Sequence, residues 1–241
     1  MLKLPNSKGE PGTRAWFRVL AKNGKDAEVL IYDEIGAGFF GGGVAASDLI
    51  KQLQALKLES GDQLTVRINS PGGNMFEGFA IHNYLRTVKA RTVARIDGVA
   101  ASAASIIAMA ADTVEMPSNS MLFIHNPWMW AAGDAKVMRK AADDLEQMRD
   151  SAATSYMRKA GDKLTQDELT AMLDVETWLS AEDAVKYGLA DTVDEPVRAA
   201  ALAQFDFSQY GFPVPKALAA LKEASARERK AMRAKLESLK T

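Results

Sequence analysis

The 241-residue chain contains no cysteine, which excludes disulfides, thiolate nucleophiles and thiolate metal sites together and suits a reducing compartment. Histidine is almost as scarce: His82 and His125 are the only two, so a histidine general base must be one of them. An excess of either charge is also missing. The 30 Lys and Arg nearly cancel the 31 Asp and Glu, and this balance gives no reason to expect a nucleic-acid partner. No apolar run reaches the roughly 18 residues of a membrane span, and residues 1–10 lack the apolar stretch of a secretion signal. The expectation is a soluble, cytoplasmic protein without a membrane partner.

What is present is enough apolar residue, 47%, to bury one sizeable core. Residues 1–14 are polar, carry Pro5, Gly9, Pro11 and Gly12, and read as a flexible N-terminal segment. Residues 15–21 and 26–32 then read as strands joined by an Asn23-Gly24 hairpin signal. Next comes Gly36-Ala-Gly-Phe-Phe-Gly41, formally a dinucleotide-binding pattern. That fingerprint needs an acid closing the next strand, and the strand at 64–68 runs instead into Asn69-Ser70-Pro71. A plain strand-to-helix loop is the better reading, and no cofactor is expected.

Three strand ends carry candidate chemistry. Residues 64–68 lead into Pro71-Gly72-Gly73 before a helix near 75–88, so bare backbone N–H groups precede the helix and can form one wall of an oxyanion hole. An ordinary Pro-Gly turn is the alternative. Residues 91–96 lead through Gly98, where a break is expected, to Ser102 at the start of an apolar helix. The amides and dipole of a first turn stabilise negative charge, which suits a nucleophile, while a simple N-cap is the competing role. Residues 120–124 deliver His125, and Asn126-Pro127 after it halts further pairing. His82 falls inside a helix, where a buried or partly exposed imidazole is expected. Strand ends that gather loops at one crevice point to an α/β fold.

These residues resemble the proteolytic subunit of the Clp protease family, and more closely the Clp-like head maturation proteases of phages and prophages. The matching pieces are Ile68-Asn-Ser-Pro-Gly-Gly73, Gly98-Val-Ala-Ala-Ser102, Phe123-Ile-His-Asn-Pro127 and Thr177-Trp-Leu-Ser-Ala-Glu-Asp-Ala-Val-Lys-Tyr-Gly-Leu-Ala-Asp191. The resemblance implies a ClpP/crotonase-like α/β fold of repeated strand–loop–helix units with a protruding handle helix. It also implies a serine endopeptidase with Ser102 as nucleophile, His125 as general base and the amides of Gly73 and Ala103 as oxyanion donors. Ser105 is then a decoy one helical turn deeper. The third catalytic member departs from the family pattern. Register selects Glu176 where Clp subunits carry aspartate, with Asp174 as the fallback. A metal or cofactor is not required. Two alternatives remain in view: a crotonase-like acyl-CoA enzyme, and a catalytically silent Clp-like assembly protein.

Residues 134–160 read as one long helix with an apolar stripe of Met138, Ala141, Leu145, Met148 and Ala152. The resemblance makes this the handle that packs rings of subunits together, so a homo-oligomeric ring acting on a protein substrate is expected. Thr165 to Glu168 reads as a capping box, and Ser180 as a further cap. The protease domain is placed at 15–195. Residues 196–241 form a linker and a helical tail in which eight Lys or Arg face three Glu from 216 to 240. A solvated helix is the ordinary role for such a tail; binding to capsid, scaffold or nucleic acid is the other. The segment before Trp16 does not resemble the axial loops of Clp subunits, which argues against an ATPase partner.

Overall fold

The computed structural model describes residues 16–22, 26–36 and 45–196. The expected N-terminal segment 1–14, most of the glycine-rich loop and the basic tail lie outside them. Two strands open the fold, β1 (Phe17–Lys22) and β2 (Asp26–Ile31), paired antiparallel with Lys22 opposite Asp26, as the Asn-Gly signal predicts. Helix α1 (Ala46–Ala55) follows and buries Ala46, Leu49 and Leu53, a 3-then-4 spacing that sets one stripe against the sheet. Strand β3 (Gln63–Ser70), helix α2 (Met75–Leu85), strand β4 (Arg91–Ala101) and helix α3 (Ala103–Ala108) repeat the strand–helix unit. The chain continues through β5 (Thr113–Pro117), β6 (Met121–Ile124), α4 (Ala135–Ala160), α5 (Gln166–Asp174), β7 (Thr177–Ser180), α6 (Ala181–Lys186) and β8 (Thr192–Asp194).

The sheet runs β1-β2-β3-β4-β5-β8, with β6 and β7 branching from β4. Strands β2 to β5 are parallel, and parallel strands covered on both faces are continuously apolar. The C-terminal half of β4, from Ile96 to Ala101, is accordingly buried throughout. The expected break at Gly98 does not occur. The strand passes through it because β4 changes partner there: Val93 to Arg95 pair with β5, while Val99 to Ala101 pair with β6. Ladder hydrogen bonds on both sides of Gly98 outweigh its weak strand preference.

The caps follow the sequence closely. Asn74 accepts from the Phe76 and Glu77 amides at the start of α2. Asp134 does the same for Lys136 and Val137 at α4, Thr165 and Glu168 form the capping box of α5, and Ser180 caps α6. One polar cluster crosses the sheet. Arg67 on β3 grips Asp97 on β4 with two bonds of 2.7 and 2.8 Å, the Tyr32 hydroxyl donates to the same carboxylate, and Arg95 reaches Asp194 at 2.9 Å. Asp97 is buried, and its side chain is only 3% exposed, so it depends on these partners. No described helix is long and apolar enough to cross a membrane.

Candidate active site

Ser102 occupies the one-residue junction between β4 and α3 with φ 54° and ψ −127°, and its side chain makes no capping bond to the helix. The N-cap role therefore fails, and a non-glycine residue in this region of backbone space is a strained one. Three backbone bonds hold it. The Ser102 N–H donates to the Phe123 carbonyl at 2.9 Å, and the Ser102 carbonyl accepts from the Ser105 N–H at 2.9 Å and from the Ile106 N–H at 3.4 Å. The first bond continues the β4–β6 register, in which Ala101 faces Phe123. Neighbouring strands lie about 4.8 Å apart, so Ser102 and His125 emerge side by side from adjacent strand ends.

The imidazole of His125 stacks on Phe123 at 5.2 Å, and Phe123 stacks in turn on Trp178 of β7 at 4.4 Å. This aromatic ladder packs both faces of Phe123 and holds the imidazole against it. Burial pushes the His125 pKa down to about 4, partly offset by a hydrogen bond with the Asn126 backbone. The imidazole is thus neutral at pH 7, the form a general base requires.

Both candidate acids stand beside this strand end, in different positions. In the β6–β7 ladder Phe123 faces Trp178 and Ile124 faces Thr177, and the ladder stops one residue short of His125 and Glu176. Glu176 has φ 54°, so the chain turns there and leaves the ladder. Asp174 is engaged elsewhere, since one of its carboxylate oxygens accepts from Asn126 Nδ2 at 2.7 Å. Sequence spacing gave no sign of that pair, which joins residues on two separate elements.

The Gly72-Gly73 turn lies directly on Ser102. A Cβ at Gly72 would stand 2.6 Å from Ser102 Cβ and 3.1 Å from the Ala103 nitrogen, so only glycine permits this approach. Gly73 forms a parallel bridge with Ile35. The bridging bonds come from its neighbours, Ile35 N–H to the Gly72 carbonyl at 2.7 Å and Asn74 N–H to the Ile35 carbonyl at 3.0 Å. In that pattern the N–H of Gly73 itself points away from Ile35. Ala103 is the first residue of α3, where an amide has no intrahelical acceptor. Both expected oxyanion donors are thus in positions where a backbone N–H is left over from secondary structure.

The other serines are occupied. Buried Ser70 donates to the Asp33 carbonyl at 2.6 Å and accepts from the Gly72 N–H at 3.1 Å, which braces the glycine turn. Ser105 is wholly buried, and its hydroxyl is 2.6 Å from both the Ser102 carbonyl and the Tyr156 hydroxyl. His82 is buried in α2, with Nδ1 3.0 Å from Asn83 Oδ1. It borders a cavity of about 690 Å³ between α2 and α4, shared with Phe76, Phe79, Met129, Met148 and Arg158. Ser102, His125 and the glycine turn do not line it. Among the described residues no cluster of His, Asp and Glu is suited to a metal.

The fold is thus an α/β sheet with Ser102, His125 and the Gly72-Gly73 turn at successive strand ends. The chain belongs, more narrowly, to the Clp protease family, which matches residues 13–196. It is 29% identical over 157 residues to the ATP-dependent Clp protease proteolytic subunit of Deinococcus radiodurans, covering 64% of this chain and 76% of that protein. It is 28% identical over 170 residues to subunit 1 from Protochlamydia amoebophila, covering 68% and 79%. A solved structure of a ClpP1 mutant from Listeria monocytogenes superposes with a TM-score of 0.58 at 29% identity, covering 70% of this chain and 91% of that one. The α/β architecture is therefore ClpP-like.

Proposed function

We propose that the protein is a serine endopeptidase that cleaves a protein substrate through an acyl-enzyme. The observation that carries the reading is Ser102, held in a strained turn with its side chain left out of helix capping and its N–H bonded to the strand that ends in His125. In the proposed reaction Ser102 Oγ attacks the scissile carbonyl while His125 takes its proton, and the oxyanion that forms is held by the N–H groups of Gly73 and Ala103. The tetrahedral intermediate then expels the amine, which leaves with the proton from His125. Water, deprotonated by His125, releases the acyl group and restores the serine. Glu176 orients the imidazole and stabilises its charged form, with Asp174 as the alternative. None of these steps calls for a metal or cofactor.

Assembly into a ring that encloses the sites belongs to the same proposal. Its support is the apolar surface around the start of α4, where Trp130 is 77% exposed and Trp128, Met129, Val137 and Met138 are exposed with it. Burial of each large side chain is worth roughly 1.5–3 kcal/mol, and a second subunit supplies the matching surface.

Within this chemistry we read the biological role as head maturation, the processing of capsid or scaffold protein without an ATPase. The four motifs and the basic extension beyond residue 196 support that role. Fluorophosphonate labelling with peptide mapping tests the nucleophile without a known substrate, and casein hydrolysis tests the reaction. Turnover of an acyl-CoA thioester alone would favour the crotonase-like alternative, and absence of both activities the silent-shell one. Cleavage of co-expressed capsid or scaffold protein, lost in Ser102→Ala, supports the maturation role. Degradation only with ATP and an unfoldase would overturn it.

A further inference from the structure

Two buried hydroxyls behind the nucleophile have no part in the reaction above. Ser105 Oγ donates to the Ser102 carbonyl at 2.6 Å, which uses its single proton. The 2.6 Å contact between Ser105 Oγ and the Tyr156 hydroxyl must then be a bond donated by Tyr156. The relay has one direction, from Tyr156 on α4, through Ser105 on α3, to the carbonyl of Ser102. Tyr156 is 2% exposed and Ser105 is 0% exposed, so water cannot replace either hydroxyl in the relay.

The target of this relay is the peptide plane between Ser102 and Ala103. A peptide unit is planar and trans, so its C=O and N–H point in opposite directions. A bond that fixes the Ser102 carbonyl therefore aims the Ala103 N–H outward, toward the glycine turn that closes over it. We propose that Ser105 and Tyr156 are positioning residues for the oxyanion hole, holding the Ser102 carbonyl so that the Ala103 amide keeps its aim while Ser102 stays at φ 54°. This rests on the peptidase reading. It gives a catalytic consequence to Ser105, which the sequence presents only as a rival nucleophile, and to Tyr156, which continues the α4 stripe four residues beyond Ala152.

Tyr156→Phe removes one oxygen and keeps the ring, and Ser105→Ala removes the middle of the relay. A misaimed donor costs less than the 10²–10³-fold loss that follows removal of one. On a peptide substrate kcat is expected to fall about 10-fold in Tyr156→Phe and about 30-fold in Ser105→Ala, with KM within twofold of wild type. The double variant should match Ser105→Ala within threefold, because a relay cut once gains nothing from a second cut. Unchanged kcat per folded site, with only a lower Tm, would overturn the proposal.

Hydrogen exchange across residues 102–106 provides a readout independent of turnover. Both variants should exchange faster there than wild type, and equal rates would overturn the proposal whatever the activity. A wild-type protein that fluorophosphonate does not label fails the peptidase reading instead, and the exchange comparison still decides whether the relay holds this backbone.

Discussion

The N–H of Ser102 and the carbonyl of Phe123 meet at 2.9 Å, and this bond is what sets the proposed nucleophile beside the strand that leads to the proposed base, His125. It is a ladder bond, made by backbone alone, so the placement of Ser102 relative to His125 survives removal of the serine hydroxyl.

Ser102→Ala is accordingly expected to fold as wild type and to show no turnover. A fluorophosphonate should modify Ser102 and leave Ser105 and Ser70 untouched, since both of those hydroxyls are buried in bonds of 2.6 Å to carbonyls. Peptide mapping checks this, and modification of either buried serine would remove Ser102 from its role.

The two acids are separable by substitution. Glu176→Gln should lower kcat by orders of magnitude, up to the ~10⁴-fold seen when a triad acid is neutralised, with little change in KM. Asp174→Asn should cost far less, because its carboxylate is engaged with Asn126. The opposite ranking would give the role to Asp174, and no effect from either would define a Ser–His dyad.

Acid should affect stability and rate through the same ring. The His125 pKa is about 4 in the fold against an ordinary 6.5, so between these values the unfolded chain binds the proton more readily than the native one. Its contribution to stability is complete above pH 6.5 and is lost as pH falls toward 4. Denaturant midpoints for wild type and His125→Asn should therefore converge as pH falls through that window. The acidic limb of kcat/KM, which reports the free enzyme, should lie well below 6.5. A limb near 6.5 or above would show a carboxylate closing on the ring in the active state.

Asp97 provides a test of the fold away from the site. Arg67→Met strips the two bonds of 2.7 and 2.8 Å from a buried carboxylate and should destabilise the protein by about 3 kcal/mol. Adding Asp97→Asn should recover part of that loss, because the buried carboxylate is otherwise left with only the 3.6 Å contact to Arg95 and the Tyr32 hydroxyl. Urea denaturation measures both effects.

If the apolar start of α4 is a subunit contact, Val137→Lys with Met138→Lys should shift the protein to a smaller assembly in light scattering. A wild-type protein that is a 26.1 kDa monomer with full peptidase activity would argue against the enclosed ring.

Local signals in the chain predict local structure well. Thr165 with Glu168, and Ser180, cap the helices that follow them as their spacing predicts, because a cap needs only its own next few amides. Ser102, His125 and the glycine pair are recognisable for a related reason, since strand ends and helix starts are marked by neighbours in sequence. The course of β4 through Gly98 is not recognisable, because pairing with β5 and then β6 decides it. Strands β5 and β8 are short, and their pairing partners lie far along the chain. The choice between Asp174 and Glu176 is hidden because it turns on one backbone angle at Glu176 and on a partner, Asn126, 48 positions away from Asp174.

The change of partners along β4 divides the sheet into two arms above a common stem. Ser102, His125 and Glu176 all belong to the arm made by the end of β4 with β6 and β7, whereas Gly73 is fastened to Ile35 on the far side of β3. The two expected donor amides therefore sit on different pieces, since Ala103 opens α3 at the end of the arm and Gly73 follows β3. The spacing of the two amides is thus set where these pieces meet, at the Ser70–Ala100 pair of the β3–β4 ladder.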